Sequence, residues 1–121
     1  MKVYRDISSV NFKNPVATIG IFDGVHLAHQ AIIQRMKEVA KERHTETLIV
    51  TLWPHPRIVL NKYEDDLHLI NTLEEKINIL EDQGIDNVLI LPFDRSFAAI
   101  SFEEFVNDIL INKLKIKYLV V

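Results

Sequence analysis

The sequence predicts an α/β domain built on a doubly wound parallel sheet, and three observations carry that prediction. Four apolar runs rich in β-branched residues, at 16–22, 47–53, 87–93 and 117–121, show little polar alternation. Strands buried on both faces of a parallel sheet read in this way. Between the runs lie three stretches whose apolar residues recur with helical period. The last stretches open and close on helix caps, so the order is β-α-β-α-β-α-β. Strands joined by helical crossovers lie parallel, with right-handed connections.

Each element has a local cause. The run "VATIGIF" (16–22) leads to a helix with Ile32, Ile33, Met36, Val39 and Ala40 on one face. The run "TLIVTLW" (47–53) is followed, after a long connection, by a helix carrying Leu73, Ile77 and Leu80. Thr72-Leu-Glu-Glu75 opens that helix as a capping box, and Gly84 stands where a C-cap needs a left-handed residue. After "NVLILPF" (87–93), a second capping box, Ser101-Phe-Glu-Glu104, opens a helix with Phe102, Phe105, Val106, Ile109 and Leu110 on its apolar face. The chain ends on the apolar run "KYLVV" (117–121), so a fragment of a longer protein is expected.

Composition narrows the function classes. A chain of 121 residues with 48% hydrophobic residues is long enough for one packed domain. Its net charge of −3 provides no broad positive field, which argues against nucleic acid or an anionic membrane as a bulk-charge partner. An anionic ligand must therefore be held by local groups. With no cysteine there is no disulfide or thiol chemistry, and a cytoplasmic setting is expected. No apolar run approaches the ~20 residues of a membrane span, and "MKVYRDISSV" lacks the apolar centre of a signal peptide.

Ligands of open parallel sheets sit outside the carboxyl ends of the strands. Polar residues do follow the apolar runs: Asp23-Gly-Val-His-Leu-Ala-His29, then Pro54-His-Pro-Arg57, then Phe93-Asp-Arg95. Gly24 allows a tight turn and a close backbone approach. If a helix begins near Val25, His26 and His29 are i, i+3 neighbours on its opening turn. Unpaired N–H groups and the positive end of the helix dipole already favour an anion there, and two imidazoles add N–H donors for phosphate oxygens. Two other readings stay open: a zinc-binding pair, and a cap with a partly buried filler. The connection "PHPRIVLNKYEDDLHLIN" (54–71) is long for a compact domain, and such loops are more often functional than idle. His55, fixed between two prolines, suits a lid that presents one side chain.

At these residues the sequence resembles a family. "GIFDGVHLAHQ" resembles the G-x-F-D-G-x-H-x-G-H segment of bacterial FAD synthetases, the adenylyltransferase part of bifunctional riboflavin kinase/FMN adenylyltransferases. "VTLWPHPRIVL" resembles their T-F-x-P-H-P-R segment, and "LPFDRSFAAISFEEFV" their L-P-F-x-x-x-F-A-x-x-S-x-E-x-F segment. The resemblance covers nearly the whole chain. It implies a Rossmann-like, HUP-type nucleotidyltransferase fold, with residues 1–121 as the N-terminal part of the adenylyltransferase domain. Later family motifs and a riboflavin kinase domain are expected beyond Val121.

The activity so implied is transfer of AMP from ATP to FMN, giving FAD and pyrophosphate, with Mg²⁺ required. Gly20, Phe22, Asp23 and Gly24 would then shape the adenylate and phosphate end. His26 and His29 would hold the triphosphate and stabilise charge at the α-phosphorus. Pro54, His55, Pro56 and Arg57 would fold over nucleotide and flavin, with Phe93, Asp94 and Phe97 on the flavin side. The resemblance assigns no metal ligands. Two positions depart from the pattern: Ala28 replaces the glycine between the histidines, and Trp53 stands where an acid is common. A nucleotidyltransferase acting on another phosphate acceptor, and a nucleotide-binding module without catalysis, are the alternatives.

Overall fold

The computed structural model describes residues 1–20, 27–53 and 73–121. Five parallel strands form one sheet: β1 (Lys2–Tyr4), β2 (Val16–Gly20), β3 (Thr47–Trp53), β4 (Asn87–Pro92) and β5 (Tyr118–Leu119). Their spatial order is β1-β4-β3-β2-β5, and every described pairing is parallel. Three of the expected strands appear in the centre and the fourth on one edge. The other edge is the unexpected β1, which pairs Tyr4 with Leu89. Its three residues are too few for an apolar run, and Arg5 and Asp6 follow at once.

Side-chain alternation divides the interior into two layers. Val16, Ile49, Val88 and Ile90 point to one face, where Ile33, Met36 and Ala40 of α1 (Leu27–Arg43) and Leu80 of α2 (Leu73–Asp82) cover them. Ala17, Leu48, Val50, Leu89 and Leu91 point to the other, beneath Phe12, Leu110 and Leu114. Helices therefore lie on both faces, as a doubly wound sheet requires. The stripes read from the sequence for α1 and α2 are those that pack.

The last helical region departs from expectation in its winding. A short helix, α3 (Arg95–Ala98), precedes α4 (Phe102–Glu104). The Ser101 cap forms as expected, the Glu104 N–H donating to Ser101 Oγ at 3.1 Å. Glu104 Oε1 accepts from the Ser101 hydroxyl at 3.2 Å, where a full capping box would have it accept from the Ser101 N–H. From Phe105 to Lys113 the helix widens to π geometry, and the Leu114 N–H reaches the Ile109 carbonyl at 2.9 Å. Phe105, Val106, Ile109 and Leu110 face the sheet. Phe102, expected on that face, is instead 81% exposed. It is the first helical residue, one turn before the widened segment whose side chains reach the core.

Polar bonds align the amino ends of the central strands. Asp86 Oδ2 accepts from the Thr47 N–H at 3.0 Å and from its hydroxyl at 3.1 Å. Buried Asn87 donates to the Thr47 carbonyl at 3.1 Å and to Glu46 Oε2 at 2.9 Å. Between α2 and β4, Gly84 has φ +84°, the left-handed conformation expected of a C-cap. A methyl group there would also lie 3.1 Å from Lys37 Nζ. Gly84→Ala is expected to lower stability by about 1–2 kcal/mol, seen as a lower urea midpoint with an unchanged slope.

Candidate active site

The carboxyl ends of β2, β3 and β4 form one rim of the sheet. Gly20 ends β2 opposite Thr51, and Trp53 ends β3 opposite Pro92. The Phe93 N–H donates to the Trp53 carbonyl at 3.0 Å, extending that alignment one residue past β4. The chain proceeds from β2 to β3 and β4 on one side, then crosses back to place β5 on the other side of β2. The strand order therefore reverses at β2, where open α/β sheets leave a crevice for ligands.

His29 lies in the first turn of the described part of α1, the helix that follows β2. It is half-buried, and its Nδ1 is enclosed. The ring is thus held on one side by the protein, on a helix end whose dipole favours anions. Gly20 is also half-buried. Phe22, Asp23, Gly24 and His26 lie outside the described residues, and so do Pro54, His55, Pro56 and Arg57.

The third expected group is fully placed. Phe93 is 9% exposed, and its ring lies 5.6 Å from that of Phe97. Phe97 is half-buried and also meets Phe105 edge-on at 5.7 Å. Asp94 caps α3: its Oδ1 accepts from the Phe97 N–H at 2.7 Å. These residues connect the rim to the helical layer through an aromatic cluster and a helix cap.

Sequence reasoning missed Lys76. It is 1% exposed, and its Nζ lies 5.5 Å from the centre of the Trp53 ring. A cation over an indole face is attracted by the ring quadrupole, more strongly where water is excluded. The signal was available: position 76 falls on the same helical stripe as Leu73, Ile77 and Leu80. A lysine on an apolar stripe marks a buried charge with a task. Here it engages the tryptophan that stands directly before the Pro-His-Pro-Arg segment.

Among the described residues, no three or more His, Asp or Glu side chains gather as a metal site. Mg²⁺ is commonly held by one or two carboxylates together with substrate phosphates and water, so the ion implied by the family resemblance does not require such a cluster. No described helix is long and apolar enough to cross a membrane.

Comparison with known proteins agrees with this architecture. The chain is 33% identical over 123 residues to a bifunctional riboflavin kinase/FMN adenylyltransferase of Buchnera aphidicola subsp. Schizaphis graminum, covering 100% of this chain and 39% of that protein. It is 34% identical over 124 residues to the protein of the same description from Escherichia coli K12, again covering 100% of this chain and 39% of the relative. The chain thus spans about two-fifths of the length of these curated relatives. A crystal structure described as a macrolide-efflux protein from Streptococcus pneumoniae superimposes with a TM-score of 0.82 at 23% identity, over 98% of this chain and 39% of that one. That likeness concerns the fold. The family model described as FAD synthetase matches residues 8–121, and the chain belongs to the FAD synthetase family.

Proposed function

We propose that this chain supplies the ATP-phosphate-binding part of an FMN adenylyltransferase site. Its full gene product would transfer AMP from ATP to FMN. The observation that carries this reading is the family match over residues 8–121. The placement of Gly20 and His29 beside the point where the strand order reverses supports it.

In the proposed reaction a phosphate oxygen of FMN attacks the α-phosphorus of ATP. A new P–O bond forms, the bond to the bridging oxygen breaks, and pyrophosphate leaves with that electron pair. Such a transfer needs in-line placement of two anions and stabilisation of charge on the phosphate oxygens. His29 donates an N–H to the triphosphate from the opening of α1, with His26 beside it. Gly20, Phe22, Asp23 and Gly24 shape the adenylate end. Pro54, His55, Pro56 and Arg57 close over the nucleotide. Phe93 and Phe97 form the wall on the flavin side, and Asp94 holds α3 against it. Direct displacement needs no covalent enzyme intermediate.

The test is an acceptor comparison on the full gene product with ATP and Mg²⁺. AMP transfer to FMN, with none to nicotinamide mononucleotide or phosphopantetheine, is the expected result. Transfer to one of those acceptors in place of FMN would assign a different substrate. Saturable ATP binding without transfer to any of them would make this a binding module.

A further inference from the structure

The opposite edge of the sheet carries a second feature. Where β2, β3 and β5 begin, Lys13, Arg43, His44 and Lys117 line one concavity of about 250 Å³. No Asp or Glu is among its described lining residues. Among the described residues, Lys13, Arg43 and Lys117 have no carboxylate partner. This is a local reversal of sign in a chain whose net charge is −3.

These groups come from three separate places in the chain, and direct contacts fix them together. Thr45 Oγ1 lies 3.2 Å from both the Lys13 and Asn14 carbonyls, joining the end of α1 to the approach of β2. The Arg43 guanidinium lies 4.8 Å from the centre of the Tyr118 ring, joining the same helix end to β5. The backbone segments that carry these charges are therefore held side by side around the recess.

Neutralising the helix end does not account for them. Two of the last carbonyls of α1 are bonded within the chain, Ala40 by the Thr45 N–H at 3.0 Å and Lys41 by the His44 N–H at 3.4 Å. Lys13 and Lys117 belong to other elements. The backbone points the same way. α2 closes on Gly84, whereas α1 closes on His44 at φ 55°, and Asn14 across the recess has φ 50°. Glycine would adopt this conformation without the steric penalty that a side chain brings. A histidine kept there places an imidazole beside three cations.

We propose that this recess is an anion site for a phosphomonoester group, distinct from the rim at the strands' carboxyl ends. Its concentrated charge suits a phosphoryl group held by Lys and Arg donors, with room beside it for the rest of the ester. The group could belong to a soluble metabolite or to a lipid headgroup.

Amide chemical shifts of the full gene product, titrated with inorganic phosphate against chloride at matched ionic strength, test the proposal. Saturable shifts at Asn14, His44 and Thr45 are expected. They should persist in His29→Ala, which alters the rim, and the affinity should fall at least tenfold in Lys13→Ala/Lys117→Ala. His44→Gly should weaken phosphate severalfold while raising the thermal midpoint, because it relieves the backbone. Sedimentation with phosphatidic acid vesicles against phosphatidylcholine vesicles then separates the sources. Retention lost in the double variant identifies a lipid headgroup, and no retention beside saturable phosphate binding identifies a soluble one. Non-saturating shifts, or equal affinity in the wild type and the double variant, would overturn the proposal. The failure of adenylyl transfer would leave it untouched.

Discussion

His29→Ala in the full gene product is expected to lower AMP transfer to FMN by two to three decades, with the thermal midpoint close to that of the wild type. A preorganised donor aimed at developing phosphate charge is worth roughly 2–4 kcal/mol of transition-state stabilisation. The structure bears on where that loss falls. His29 is half-buried at the start of a 17-residue helix, and the packing face of that helix is made by Ile33, Met36 and Ala40. Removing one ring from the first turn leaves the stripe that attaches α1 to the sheet intact. The fold should therefore lose about 1 kcal/mol or less. Steady-state rates with ATP varied, beside a urea titration of the same preparation, separate the two effects. A drop in stability of several kcal/mol with unchanged turnover per folded molecule would make His29 a packing residue and remove it from the proposed site. His29→Gln, which retains an N–H donor, should recover part of the rate.

The parts of this molecule that were legible in its sequence are those decided locally or by burial on both faces. β3 was readable over its full extent, Thr47–Trp53, because a strand between two parallel neighbours and two helical layers has no solvent side to introduce polar residues. The Ser101–Glu104 cap was readable because both of its bonds span three residues. β1 was hidden, since three residues beside charged neighbours acquire their strand character only from pairing with β4. The π widening after Glu104 was hidden for a related reason. Phe105, Val106, Ile109 and Leu110 fit an α-helical face as well as a wider one, and contact with the sheet decides between them.

The two candidate sites differ in the same way. Strand-end reasoning reached Gly20, His29 and Phe93, because the carboxyl rim of a parallel sheet is defined once its strands are known. The Lys76–Trp53 contact needed α2 docked on the sheet, although the misplaced charge in its stripe was visible. The recess formed by Lys13, Arg43, His44 and Lys117 had no sequence signature at all. They come from three separate parts of the chain, Lys13 meeting Arg43 and His44 where β2 pairs with β3, and Lys117 joining them because β5 returns beside β2.

The opposite separation of effects is expected for Leu89→Ala. Leu89 is 0% exposed in the middle of β4, paired with Tyr4 on one side and Val50 on the other. Its side chain packs with Leu48, Val50, Leu91, Leu110 and Leu114, beneath the widened helix. Truncation loses both transfer free energy and contacts that the neighbours cannot fully replace, about 3–4 kcal/mol in total. That is a large share of the roughly 5–15 kcal/mol that holds a domain folded. The urea midpoint should fall steeply with an unchanged slope, whereas Leu89→Met should cost less than about 1.5 kcal/mol. The KM for ATP should remain near wild type, because α1, which carries His29, covers the other face of the sheet. A loss below about 1 kcal/mol would mean that the helix over Phe105–Lys113 closes into the space left by the leucine. A π-wound segment lying loosely on the sheet could do that, and one locked by Leu110 and Leu114 could not.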